Sequence, residues 1–259
     1  MEENGSLAAE VGKEGVFGSA GLIPEGVHLP RQSRSRASFT RMITAALELI
    51  GEMGLEGASV QKVLQRSGTG AGTFYARFEG RDALLAYLSS RFWAETDGEW
   101  RSVLVPGRWS AAGPVEIIQQ FTRMFVLWAR VHGALLRAFL MHAMADGNQD
   151  LLDRISVVDN TIADQMCVLL RSHSDELKHE QLEQAIRLAT LQVIATLRSR
   201  IIFAWGSRED GIGDEALATE LATAFLRYLG CLEKRGWAGP KSLGATARPV
   251  GLLKDASEI

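Results

Sequence analysis

Gly68, Gly70 and Gly72 alternate with Ser67, Thr69 and Ala71 and run straight into Thr73, Tyr75 and Arg77. The start of a helix presents unpaired backbone amides at the positive end of its dipole, which is an anion site. Two hydroxyls and a guanidinium follow within one short segment. Phosphate is therefore the ligand chemistry this stretch suggests, from a bound nucleotide or from a nucleic-acid backbone. A dinucleotide fingerprint needs glycines at its first, third and sixth positions after a strand. Here the sixth position is Thr73, and Val60 to Arg66 has helical period. No Gly-Lys-Ser/Thr follows, which excludes a P-loop. The nucleic-acid backbone is the better partner.

The flanking pattern explains how such a face would be held. Ile43, Ala46, Leu47 and Ile50 recur at helix spacing from Ser38 onward, and Gly54 reads as the stop. Ser59 is a good N-cap for a second helix with Val60, Val63 and Leu64 as its apolar face. Gly68 suits the left-handed residue that ends it. Gly70 can cap a third, short helix from about Ala71 to Arg77 that buries Phe74 and Phe78. Gly72 in its first turn costs roughly 1 kcal/mol of helix propensity against Ala, which implies that something approaches the backbone there. A long fourth helix starts at Arg81. Helix, tight turn and short exposed helix are what a recognition helix needs.

Charge points the same way. The whole chain carries 28 Lys/Arg and 31 Asp/Glu, a net charge of −3, so its surface is not uniformly basic. Arg31 to Asp82 nevertheless holds eight Lys/Arg against five Asp/Glu. A locally basic segment on an acidic body implies one anionic partner, met at one place. Arg31, Arg34 and Arg36 form a short arm upstream of the first helix.

Ser38 to Leu85 resembles the N-terminal DNA-binding domain of TetR-family transcriptional regulators. Ile43, Ala45, Ala46, Gly54, Ser59, Val63, Gly68, Gly72, Thr73, Tyr75, Phe78, Leu84 and Leu85 fall where the family pattern puts them. The resemblance implies phosphate contacts from Ser59, Thr73, Tyr75 and Arg81, with Phe74 and Phe78 in the core. Gly70 stands where Ser or Thr is common, Ala71 where a polar residue faces DNA, and Ile50 where Phe is common. Base reading then leans on Thr69, Ala71 and Arg77, with Gly70 and Gly72 beside the backbone and Arg34 and Arg36 adding arm contacts.

The resemblance further implies an all-α fold: an N-terminal three-helix helix-turn-helix domain followed by a larger helical ligand-binding and dimerisation domain. The expected divisions are a disordered tail with the basic arm over 1–35, the DNA-binding domain over 36–85, the second domain over 86–236 and a loose tail over 237–259. Helical stretches are expected at about Pro114–Val131, Gly133–Ala145, Gln149–Ser172, Ser174–Gly206 and Gly213–Arg235. The last two would form a homodimer interface, with Ala185, Ala189, Ala195 and Thr196 permitting close approach and Leu217, Leu221, Phe225 and Leu229 forming an apolar stripe.

Trp93, Phe121, Met124, Phe125, Trp128 and Met141 are candidates to line an effector cavity, with His132 and His142 as polar handles, although aromatic stripes at helical spacing are more often plain core. Cys167 and Cys231 lack metal-ligand spacing and read as reduced thiols. No metal cluster, cofactor motif or catalytic set can be assembled. The N-terminus has no apolar signal segment, and the strongest apolar run, Leu191 to Trp205, is broken by Arg198 and Arg200. These features lead to the expectation of a cytoplasmic, non-enzymatic protein, and the resemblance implies a regulator, most often a repressor, that binds a palindromic operator as a dimer and is released by a small molecule. The alternative is an all-α binding or enzymatic protein with an incidental helix-turn-helix, for which Thr73, Tyr75 and Arg81 together have no use.

Overall fold

The structure is a computed structural model that describes residues 23–203, apart from 146, and residues 212–231. It divides into two compact units, the first ending at Ala94 and the second beginning at Glu95. All regular elements among the described residues are helical.

In the first unit, α1 spans Ser33–Met53, a 3-10 turn Leu55–Gly57, α2 Val60–Ser67, α3 Ala71–Tyr75, and α4 Arg81–Val103 begins here. Helix α1 starts five residues before the apolar periodicity does. Gln32 is its extended N-cap, and the Ser35 hydroxyl donates to the Gln32 carbonyl at 2.9 Å. The basic arm from Ser33 onward is thus helical, and its first turns carry no apolar period because they face solvent. The C-cap Gly54 closes α1 by donating its N–H to the Ile50 carbonyl. Gly57 is required by space: a Cβ there would stand 2.6 Å from the Met53 Cβ and 2.8 Å from the Leu49 carbonyl oxygen.

The core of this unit is an aromatic stack. The Phe39 and Phe78 rings lie 5.5 Å apart, Phe74 is 5.5 Å from Phe78, and Tyr87 meets Phe39 edge-on at 5.4 Å. Such pairs contribute about 0.5–1.5 kcal/mol each beyond area burial. Residues 23–30 were expected to belong to the disordered tail. Instead Val27 forms an antiparallel bridge to Phe78 and is buried. The His28 N–H donates to the Arg77 carbonyl at 2.8 Å, and the Glu79 N–H to the Gly26 carbonyl at 2.9 Å. The rest of the expected tail, residues 1–22, lies outside the described residues, as does the C-terminal tail.

The second unit holds the remainder of α4, then α5 over Pro114–Ala145, α6 over Gln149–Arg171, α7 over Leu182–Phe203 and α8 over Asp214–Tyr228. Helix α5 packs on α6, α7 and α8, and α6 packs along α7. The break expected at Gly133 is absent. A lone glycine weakens a helix by only about 1 kcal/mol, and here its bare face lies against Ile201, whose Cγ1 would be 3.7 Å from a Cβ at 133. Helix α7 begins eight residues later than expected. Residues 174–181 form turns instead, tied down by the Lys178 N–H donating to the Leu229 carbonyl at 3.0 Å.

Pro114–Ala145 is the one helix among the described residues that is long and apolar enough to cross a membrane by length and composition. The sequence reading placed its strongest candidate elsewhere, at Leu191 to Trp205. Ile117, Ile118, Phe121, Phe125, Leu136, Phe139 and Leu140 on α5 are all buried inside the unit, as suits a core helix.

Candidate nucleic-acid interface and the second unit

The turn before α3 is built as its glycines require. Gly68 sits in the left-handed region at φ 63°, ψ 32° and caps α2 by donating its N–H to the Leu64 carbonyl. Gly70 is the extended N-cap of α3, with no side chain to accept from the first-turn amides. A Cβ at Gly70 or Gly72 would meet nothing within 4 Å, so neither glycine is demanded by the protein's own packing.

Helix α3 is only five residues long, and its faces are sharply divided. Phe74 is fully buried, whereas Ala71, Gly72, Thr73 and Tyr75 are exposed. Tyr75, 57% exposed, rests edge-on against Phe74 at 5.3 Å between centroids. Arg77 follows, half-buried. An exposed large aromatic beside a bare glycine is poor solvation chemistry but a good contact surface for a sugar-phosphate backbone.

Three expected contact residues also have structural duties. Ser59 is the N-cap of α2, its Oγ accepting from the Lys62 N–H at 3.4 Å. The Thr69 hydroxyl is 2.7 Å from that of Ser67, whose carbonyl accepts from Arg41 Nε at 3.2 Å. Arg81 turns back on the 3-10 segment, donating from Nη2 to the Leu55 carbonyl at 2.7 Å and from Nε to the Ala58 carbonyl at 3.3 Å. The sequence assigned Arg81 to phosphate alone; carbonyl capping across more than twenty residues leaves no local pattern to read. Arg36 lies in the first turns of α1, and the side chain of Arg34 lies outside the described part.

In the second unit, α4 and α5 bring aromatic rings together. Trp100 lies 4.9 Å from Phe125, 5.9 Å from Phe121 and 6.4 Å from Trp128 between ring centroids. Trp128 continues to His132 at 5.4 Å. Of the expected cavity residues, Phe121, Phe125 and Trp128 therefore cluster, and Met124 is half-buried on the same helix. Trp93 belongs to the first unit, and Met141 is 45% exposed. Trp100 was missed because its neighbours Asp97, Gly98 and Glu99 make that stretch read as surface.

Two perturbed groups border the cluster. Burial, then the nearby Glu95 carboxylate, pushes the Glu99 carboxyl up to about 7, against a smaller opposing pull from the Trp128 indole N–H, which donates toward it. Burial pushes the His132 imidazole down to about 4, so it is neutral at ordinary pH. Among the described residues, no group of three or more His, Cys, Asp or Glu side chains is placed to hold a metal ion. Neither described cysteine forms a disulfide; Cys167 is buried and Cys231 half-buried.

The segments expected to dimerise show two faces. Ala185, Ala189, Leu217, Phe225 and Leu229 are buried within the chain itself. Leu188, Ala195, Thr196 and Phe203 on α7, with Ala216, Ala224 and Tyr228 on α8, are exposed. Residues 204–206 and 232–235 of the expected interface lie outside the described residues.

Residues 42–88 match the family described as bacterial regulatory proteins, tetR family. A curated relative, the uncharacterised HTH-type transcriptional regulator YvdT of Bacillus subtilis, is 31% identical over 68 residues, 26% of this chain and 34% of the relative. The chain thus matches about a third of that relative's length. The fold recurs in a putative tetR-family regulator from Mesorhizobium loti, with 17% identity, 76% of this chain and 98% of that one covered, and a TM-score of 0.58. It recurs in a tetR-family regulatory protein from Rhodococcus RHA1, with 13% identity, coverage of 78% and 100%, and a TM-score of 0.57. The transcriptional regulator FadR from Bacillus subtilis, in complex with stearoyl-CoA, shares it at 17% identity, coverage of 75% and 100%, and a TM-score of 0.54. Residues 42–88 thus match the DNA-binding region of the tetR family, and the described helices share the fold of solved regulators of that family.

Proposed function

We propose that this protein is a DNA-binding transcriptional repressor of the cytoplasm that grips a palindromic operator as a homodimer and is released by a small-molecule effector. One observation carries the DNA-binding reading: the exposed Ala71, Gly72, Thr73 and Tyr75 face of α3, held by a single buried anchor, Phe74. A corner that merely packed the first unit would not leave a tyrosine 57% exposed beside an unpacked glycine. The exposed small and apolar residues of α7 and α8 supply the proposed dimer face, and a two-fold dimer demands two related half-sites. Effector binding in the second unit would bias two arrangements of the DNA-binding units. Support for a small-molecule effector comes from the aromatic cluster and from the stearoyl-CoA held by the FadR relative.

The test is selection of bound genomic fragments with the full chain, followed by footprinting. A protected two-fold-symmetric site is the expected result; uniform protection of every fragment would sink the operator reading.

A further inference from the structure

We infer that the second unit binds an organic cation, with Glu99 as counter-ion and Trp100, Phe125 and Trp128 as the apolar wall. This deepens the effector reading above and rests on it. Both Glu99 carboxyl oxygens are shut away from solvent, and the donor that acts on them is the Trp128 indole N–H, out of line for a full hydrogen bond. A buried carboxyl satisfied by so little is costly and calls for a reason. The aromatic cluster on the neighbouring helix offers one. Indole and phenyl faces attract a desolvated cation, and a carboxylate beside them supplies charge and direction.

The surroundings discriminate against an anionic head group. The charged neighbour that acts on Glu99 is another carboxylate, Glu95. Three arginines of these helices are held by acids: Arg101 by Asp97, with the Thr161 hydroxyl, Arg123 by Glu215, and Arg130 by Asp214, while Arg137 is exposed. His132, against Trp128, is neutral and offers no positive charge. An anion brought here would meet two carboxylates, with Arg101, Arg123 and Arg130 already engaged by acids. A cation would meet the reverse.

Proton linkage follows. The groups about Glu99 are Glu95 and the Asp97–Arg101 pair on its own helix, Trp128 and neutral His132 on α5, and the Thr161 hydroxyl of α6 through Arg101. A bound cation favours ionised Glu99, so binding below about pH 7 releases a proton and binding well above it releases none.

The experiment uses the full chain and two ions of matched shape, tetraphenylphosphonium and tetraphenylborate, with benzyltrimethylammonium as a smaller cation and palmitoyl-CoA as an anionic amphiphile. Calorimetric titrations near pH 6 and pH 8, in buffers of different ionisation enthalpy, read affinity and proton release. At least one cation is expected to bind saturably, with proton release near pH 6 that vanishes near pH 8. Glu99→Gln should weaken that cation at least tenfold, abolish the release and leave the thermal melt cooperative. Tetraphenylborate should bind more weakly than its cationic twin and gain from the same substitution. Equal binding of the two tetraphenyl ions, cation affinity indifferent to Glu99→Gln, or no saturable binding of either cation would overturn the inference. Binding of palmitoyl-CoA that releases operator DNA and ignores Glu99→Gln would also overturn it, while leaving the regulator reading intact. Failure to bind any operator would strike that reading alone.

Discussion

Arg81 Nη2 donates to the Leu55 carbonyl oxygen at 2.7 Å, so the first side chain of α4 closes the end of the turn that launches α2. Its Nε reaches the Ala58 carbonyl in the same way, one residue before the α2 N-cap. A planar fork can serve two carbonyls at once, which an ammonium on a flexible stem does less well. Arg81→Lys is therefore expected to cost about 1 kcal/mol, and Arg81→Ala about 2 kcal/mol, in line with hydrogen bonds to charged groups. Denaturant unfolding measures both. Equal stability of all three proteins would reduce Arg81 to a surface charge.

Gly70 and Gly72 should separate on substitution. Gly70→Ser should stabilise by a few tenths of a kcal/mol, because a hydroxyl at the N-cap can accept from the first-turn amides. Gly72→Leu meets no steric obstacle within the protein and improves helix propensity. It should leave thermal melting intact yet abolish operator binding, since its bulk would stand between α3 and the phosphates. A Gly72→Leu protein that unfolds, or that binds its operator normally, would refute the clearance argument.

Phosphate contacts should also come from Arg31, Arg34 and Arg36, at and just before the first turns of α1. Changing all three to Gln should flatten the slope of log affinity against log salt by about one unit for each phosphate left without its arginine. An unchanged slope would mean that these residues do not touch DNA.

Glu99 and His132 should give opposite pH signatures. The folded state holds the Glu99 carboxyl near 7 against an ordinary value of 4.5. Between those values the folded state keeps a proton that the unfolded state has lost, so this residue's contribution falls as pH rises and stays unfavourable above 7. After allowance for the solvent that still reaches a half-buried residue, the effect is on the order of 1 kcal/mol. His132, held near 4 against 6.5, works the other way, and its neutral form's advantage is lost as pH falls through that interval. Glu99→Gln should accordingly raise the melting temperature at pH 8 and leave it nearly unchanged at pH 4. The same gain at both pH values would mean that it has nothing to do with ionisation.

Much of the first unit was legible in the sequence because its signals are local. Gly54, Ser59, Gly68 and Gly70 end or start helices through contacts within four residues, and each does so where expected. Features carried by distant contacts left no such trace. Arg81 capping Leu55, Gly57 pressed on Met53 and Val27 bridging Phe78 join residues whose spacing obeys no short period. In the second unit, apolar stripes found the helices but not which face would be used. Leu217, Phe225 and Leu229 looked like an interface stripe and are buried in their own chain, because a helix packed on α5 has the same period as one packed on a partner. Glu99 was invisible for the opposite reason, since an acidic residue between Gly98 and Trp100 reads as solvated.

The bridge between Val27 and Phe78 also bears on how this domain can be cut and labelled. Helix α3 is far too short to persist alone, and the two hydrogen bonds from residues 26 and 28 close over its exit. A fragment cloned from Ser33 onward would keep every helix of the first unit and lose that clasp. Its amide exchange should quicken first at Glu79, whose N–H loses the Gly26 carbonyl. Fusion partners therefore belong upstream of Ile23.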